Sequence, residues 1–161
     1  MEPGARARQL EARAEMLIRR PVAEVFEASV DPAITSRFWF SRGSGKLEAG
    51  GTVQWHWDMY GFAMDVTVHE IEQDRRIRVD WGMADETPTT IEWIFTARPD
   101  GTTFVSVTNC GFAGSADDKV VAAIGSTEGF AFVLAGAKAL LEHGIALHLV
   151  PDRFPDGLGG S

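Results

Sequence analysis

Between Ser126 and Gly144 the apolar residues Phe130, Val133, Leu134, Ala137, Leu140 and Leu141 recur at spacings of three and four, which puts them on one face of a helix. Ser126 is placed to cap its start, Glu128 falls in the first turn near the positive end of the dipole, and His143 with Gly144 supplies a favourable end. The predicted helix has about eighteen residues and is roughly 27 Å long. Its apolar face must lie on something apolar. Ile145 to Phe154 reads as a short apolar tail that packs beside this helix before Pro155 and the glycine-rich end.

Further upstream the period is two. Val53, Trp55, Trp57 and Met59 alternate with Thr52, Gln54, His56 and Asp58, and Phe62, Met64, Val66 and Val68 continue the alternation beyond Tyr60-Gly61. Strands are also predicted at Arg75 to Gly82 (Ile77, Val79 and Trp81 inward), Thr89 to Arg98 (Ile91, Trp93 and Phe95 inward) and Thr102 to Cys110 (Val105 and Val107 inward). Turn residues separate them at Gln73-Asp74, Thr87-Pro88 and Pro99-Asp100-Gly101. If Phe62 pairs with Trp57 or Met59, then Trp55, Trp57, Met64 and Val66 all point at the helix; a three-residue loop would instead set polar against apolar residues.

The N-terminal part is shorter in period and length. Glu15 to Arg20 reads as a strand closed by Pro21, followed by a helix carrying Val22, Val25, Phe26 and Ser29 on one side up to Asp31-Pro32. A second short helix, about Pro32 to Phe38, ends in Phe38-Trp39-Phe40, three aromatics that cannot share one face. The order is therefore a strand, two short helices, about six strands and one long helix. An antiparallel sheet with one apolar face is most simply satisfied by curling around that helix.

Composition adds limits rather than detail. The 161 residues are 45% hydrophobic and 24% charged, as expected for one domain able to bury a core. A formal net charge of −8 argues against a nucleic-acid partner and against an anionic membrane surface. The single cysteine, Cys110, cannot form an internal disulfide, no stretch is expected to span a membrane, and Met1 to Glu15 lacks the apolar run of a secretory signal, so a cytoplasmic location is expected.

The order of elements, the segment Pro21-Val22-Ala23-Glu24-Val25-Phe26, the Trp39 region, Gly129-Phe130 through Ala137-Lys138-Ala139-Leu140-Leu141-Glu142-His143-Gly144, and Asp152-Arg153-Phe154-Pro155-Asp156-Gly157 together resemble the SRPBCC (START-like) superfamily. Within it the chain resembles the bacterial branch similar to the C-terminal domain of activators of the heat-shock-protein-90 ATPase. The resemblance implies an α+β helix-grip fold, a bent antiparallel sheet of six to seven strands around the C-terminal helix, with a cavity between them. It places the domain at residues 12–157, with flexible segments at 1–11 and 158–161. It also implies binding of a small apolar or aromatic ligand, with a cofactor-independent cyclase or hydrolase, or a chaperone-associated interaction domain, as alternatives. A homodimer is admitted as an assembly. No catalytic residue carries over, and no metal or cofactor is indicated.

His56, Asp58, Asp65 and His69 could gather on one hairpin, but their alternation with the apolar set assigns them to the solvated face. Cys110 has no activating neighbour, and the glycines at 43, 45, 50 and 51 do not form a phosphate loop. The tryptophans carry more. Trp55, Trp57, Trp81 and Trp93 all fall on the apolar parity and, with Trp39 at the expected cavity mouth, Met64, Phe130 and Leu134, suit the lining of an apolar pocket. Asn109 is the polar residue that follows Val105 and Val107 in step. It is expected either to orient a ligand by hydrogen bonding or to satisfy a backbone group at the strand end.

Overall fold

The computed structural model describes residues 10–158, so the terminal segments expected to be flexible lie almost wholly outside the described residues. The elements run β1 (Glu11–Ile18), α1 (Val22–Val30), α2 (Pro32–Thr35), β2 (Arg42–Gly43), β3 (Thr52–Trp57), β4 (Phe62–Glu72), β5 (Arg76–Gly82), β6 (Thr89–Ala97), β7 (Thr103–Cys110), α3 (Ala116–His143) and α4 (Leu149–Arg153). All strands belong to one antiparallel sheet in the order β1-β7-β6-β5-β4-β3-β2. From β2 to β7 it is a meander; β1 then closes on β7 and forms an edge. This is the α+β helix-grip architecture, with the inner face of the sheet covered by α3.

Trp57 pairs with Phe62, Trp55 with Met64 and Val53 with Val66, so the turn from Asp58 to Gly61 has the even length that parity required. Trp55 and Trp57 are buried, whereas Thr52, Gln54 and Asp58 are exposed. The same parity buries Ile77 and Val79 on β5, Ile91, Trp93 and Phe95 on β6, and Val105 and Val107 on β7. Each such side chain contributes about 1.5–3 kcal/mol when withdrawn from water. Helix α1 buries Val25, Phe26, Ala28 and Val30, and the Phe26 ring meets Phe95 edge-on at 5.3 Å.

Three boundaries differ from the sequence expectation. Strand β1 starts at Glu11, because Ala12 and Ala14 pack inward although their small side chains give only a weak alternation. Helix α2 stops at Thr35, whose hydroxyl turns back onto the Ala28 and Asp31 carbonyls; turns then carry the chain to Trp39. The largest correction concerns α3, which begins ten residues before Ser126. Ser115 is the cap: its Oγ accepts from Asp118 N–H while its own N–H donates to an Asp118 carboxylate oxygen. The first turns were missed because Val120, Val121 and Ile124 face solvent and extend no stripe toward the core. The end is as expected, with Gly144 in the left-handed conformation and its N–H on the Leu140 carbonyl.

At 28 residues α3 is also long and apolar enough, by length and composition, to cross a membrane, against the expectation that no stretch is. Here its apolar stripe of Phe130, Val133, Leu134, Ala137 and Leu140 is seated on the sheet. The tail after Gly144 packs beside α3 as expected, and its residues Leu149–Arg153 form the short helix α4.

Candidate functional site

Between α3 and the middle of the sheet lies a cavity of about 320 Å³. Strands β4, β5, β6 and β7 contribute Met64, Trp81, Thr89 and Asn109 to its floor. Helix α3 contributes Gly125, Ser126, Gly129, Phe130 and Val133, and α4 closes one side with Val150. Gly125 and Gly129 lie four residues apart, and a Cβ placed on either would meet no atom within 4 Å. Both are solvent-exposed, so the cavity reaches the surface beside them.

Trp39 is buried, with 8% of its surface exposed, and forms a wall rather than the expected mouth. Its ring centroid lies 4.8 Å from Trp55, 5.6 Å from Trp81, 5.6 Å from Phe130 and 6.2 Å from Trp93. On its other side is a void of about 20 Å³, lined in part by Trp93, Val105, Val133 and Leu134. Of the residues that sequence reasoning selected, Trp39, Met64, Trp81, Asn109 and Phe130 therefore line the main cavity, whereas Trp93 and Leu134 line the small void. Trp55 and Trp57 lie behind Trp39 in the aromatic cluster.

The polar groups form a connected set. Asn109 is 2% exposed; its Nδ2 donates to the Thr90 carbonyl and to Thr89 Oγ1, each at 2.9 Å, and its Oδ1 accepts from the Ser126 hydroxyl at 2.9 Å. Trp81 Nε1–H also donates to Thr89 Oγ1, at 3.1 Å. Thr89 could have been found by extending the Ile91 parity one step back. Ser126 was hidden by its reading as a helix cap.

The mouth is fixed by contacts around α4. Tyr60 Oη donates to the Val150 carbonyl at 3.1 Å, its ring meets Phe154 edge-on, and Arg153 pairs with Glu128 of α3. Burial, followed by the nearby Asp152 charge, holds the Tyr60 hydroxyl above its ordinary pKa, so it remains a donor. Glu128 therefore ties α4 to α3 instead of occupying a first turn.

The His/Asp set disperses on the outer face. Asp58 pairs with Arg42, Asp65 accepts from Gln54, and His69 Nε2 lies 2.9 Å from Asp80. Burial raises the Asp80 carboxyl, but hydrogen bonds from His69 and Thr90 outweigh it and hold it below the usual range. Among the described residues no three potential metal ligands converge. Burial, with Glu11 next, pushes the Cys110 thiol up and away from the reactive thiolate.

A family model described as "Activator of Hsp90 ATPase homolog 1-like protein" matches residues 19–142. Protein SSP2350 from Staphylococcus saprophyticus is 30% identical, with a TM-score of 0.72 over 86% of this chain and 96% of that one. The Aha1 dimer from Colwellia psychrerythraea is 19% identical, with a TM-score of 0.69 over 84% and 98%. DynU16, a protein in the dynemicin biosynthetic locus, is 18% identical, with a TM-score of 0.74 over 84% of this chain and 48% of that one. The latter two bear on the fold alone. No curated protein matches the chain.

Proposed function

The chain belongs to the Activator of Hsp90 ATPase homolog 1-like family, and from that premise we propose that residues 12–157 form a cytoplasmic domain that binds a small apolar or aromatic molecule in the cavity under α3. The observation that carries this reading is a cavity of about 320 Å³ lined in part by the aromatic rings of Trp39, Trp81 and Phe130 and kept open on the helix side by Gly125 and Gly129. Glycine inside a helix costs about 0.5–1 kcal/mol relative to alanine. Two glycines on the cavity side of α3 make sense if the space they leave is used. The cavity also has the size and mixed lining of a small-ligand site, largely apolar with a few convergent polar groups.

Cavity filling provides the test. Gly129→Leu should abolish binding of the neutral probe N-phenylnaphthylamine while leaving the circular dichroism spectrum of the fold unchanged. Undiminished probe binding by Gly129→Leu would overturn the assignment, and mass spectrometry of small molecules retained by the purified protein would identify a natural occupant. The cyclase or hydrolase alternative requires a titratable pair at the reacting atoms; among the described residues the lining supplies hydroxyls, one amide and apolar groups.

A second reading, self-association or docking to a chaperone, has its own support. Val121 and Ile124 on the solvent side of α3 are 71% and 66% exposed, beside Val120, and the Colwellia relative is described as a dimer. A dimer that uses this patch should dissociate in Ile124→Asp, as read by sedimentation velocity. Unchanged sedimentation in that variant would remove the patch from consideration.

A further inference from the structure

We infer that the ligand is a neutral molecule carrying a carbonyl-type acceptor, and that the hydroxyl of Thr89, rather than the amide of Asn109, recognises it. This rests on the binding reading above. The Thr90 carbonyl can only accept, so it fixes the Asn109 amide with its NH2 toward β6. Both amide hydrogens are then committed, to Thr90 O and Thr89 Oγ1, and Oδ1 is left facing Ser126, which must donate. Asn109 is consequently a positioning residue.

The consequence falls on Thr89. Its oxygen accepts from Asn109 Nδ2 and from Trp81 Nε1, which occupies both lone-pair directions. Its own hydrogen has no acceptor among the hydrogen bonds of the described residues, and Thr89 lines the cavity, where an acceptor can reach it. A half-buried network of this kind, with Asn109 at its buried end, gains strength as each member is satisfied. An incoming acceptor oxygen completes it. Among the described residues the lining carries no cationic side chain, and the chain has a formal charge of −8, so a carboxylate would be held there without a partner; a neutral ketone, ester or amide oxygen fits instead.

Fluorenone and fluorene are rigid and nearly equal in shape, and differ by the carbonyl. Wild-type protein should bind fluorenone more tightly than fluorene by about 3- to 10-fold, the range expected of one neutral hydrogen bond, as measured by displacement of N-phenylnaphthylamine. Thr89→Val should abolish that preference while still binding fluorene, and Thr89→Ser should restore it. The carbonyl stretch of fluorenone bound to wild type should shift to lower frequency than in alkane, a readout that requires no variant. An unshifted stretch, or a preference that survives Thr89→Val, overturns the Thr89 assignment and leaves the cavity reading intact. If wild type binds neither probe nor N-phenylnaphthylamine, the cavity reading fails and this inference falls with it.

Discussion

Asn109 illustrates how parity can place a side chain inside and still leave its role open. Its parity on β7 puts it inside, and the sequence admits either a ligand contact or a backbone contact. The structure has it bonded to Thr90 O, Thr89 and Ser126 at once. Asn109→Leu should therefore destabilise the protein by about 1–3 kcal/mol, the cost of leaving buried partners unpaired, as measured by urea unfolding. A loss near zero would mean that water replaces the amide. What sequence could not supply was the diagonal neighbour. Thr89 meets Asn109 because Ile91 pairs with Asn109, and meets Trp81 because Trp81 pairs with Thr89, so the cluster depends on registers set by two separate turns.

Glu142 is the corresponding case for charge. Its carboxylate accepts from Arg19 N–H at 2.8 Å and from Lys138 Nζ at 2.6 Å, and Lys138 also donates to the Leu17 carbonyl, joining the end of α3 to the end of β1. Burial raises the carboxyl, but the Arg19 N–H and the Lys138 ammonium outweigh it, so it lies below the ordinary value of 4.5. A depressed folded pKa gives stability that is present above the unfolded value and lost as pH falls through the folded one. Melting temperature should accordingly drop more steeply on acidification below about pH 5 in wild type than in Glu142→Gln. Parallel curves would show that the pair contributes nothing to the pH response.

At the scale of the element, α3 is two helices in energetic terms. From Phe130 to Leu140 it is a core element, and Leu134, 4% exposed, should cost about 2–5 kcal/mol when replaced by alanine. Val121→Ala, on the overhanging half, should change stability by about 0.5 kcal/mol or less. Paired denaturation curves decide the point, and similar losses at both sites would show that the first half is covered in solution. The stripe of the second half was legible because burial imposes a period. The first half was not, because a helix held by its cap and its own hydrogen bonds, with Val121 and Ile124 outside, leaves no inward pattern. Gly136 marks the junction with the N-terminal segment: a Cβ there would approach Phe38 Cβ and its carbonyl oxygen to 3.3 Å, so the backbone of α3 lies directly against the turn that leads into Trp39.

For the whole molecule, the informative contrast is between a sheet face that is filled and one that is left open. Parity and tryptophan content showed an aromatic interior, but not where aromatic packing stops, since that depends on how far α3 stands from the floor and on which rings turn inward together. Trp39 decides it. It reaches the centre from the α2–β2 connection, contacts rings from β3, β5, β6 and α3, and borders both the cavity of about 320 Å³ and the void of about 20 Å³. As a partition between the two spaces it sets how deep the cavity runs. Trp39→Ala should cost about 3–5 kcal/mol, as for other large buried aromatics. It should also join the two spaces, so that N-phenylnaphthylamine, by occupying the enlarged cavity, raises the melting temperature of the variant more than that of wild type. A larger shift in Trp39→Ala would establish the ring as the back wall of the site. An equal or smaller shift would mean that α3 settles onto the sheet when the ring is removed, and that the open volume is held by Trp39 rather than divided by it.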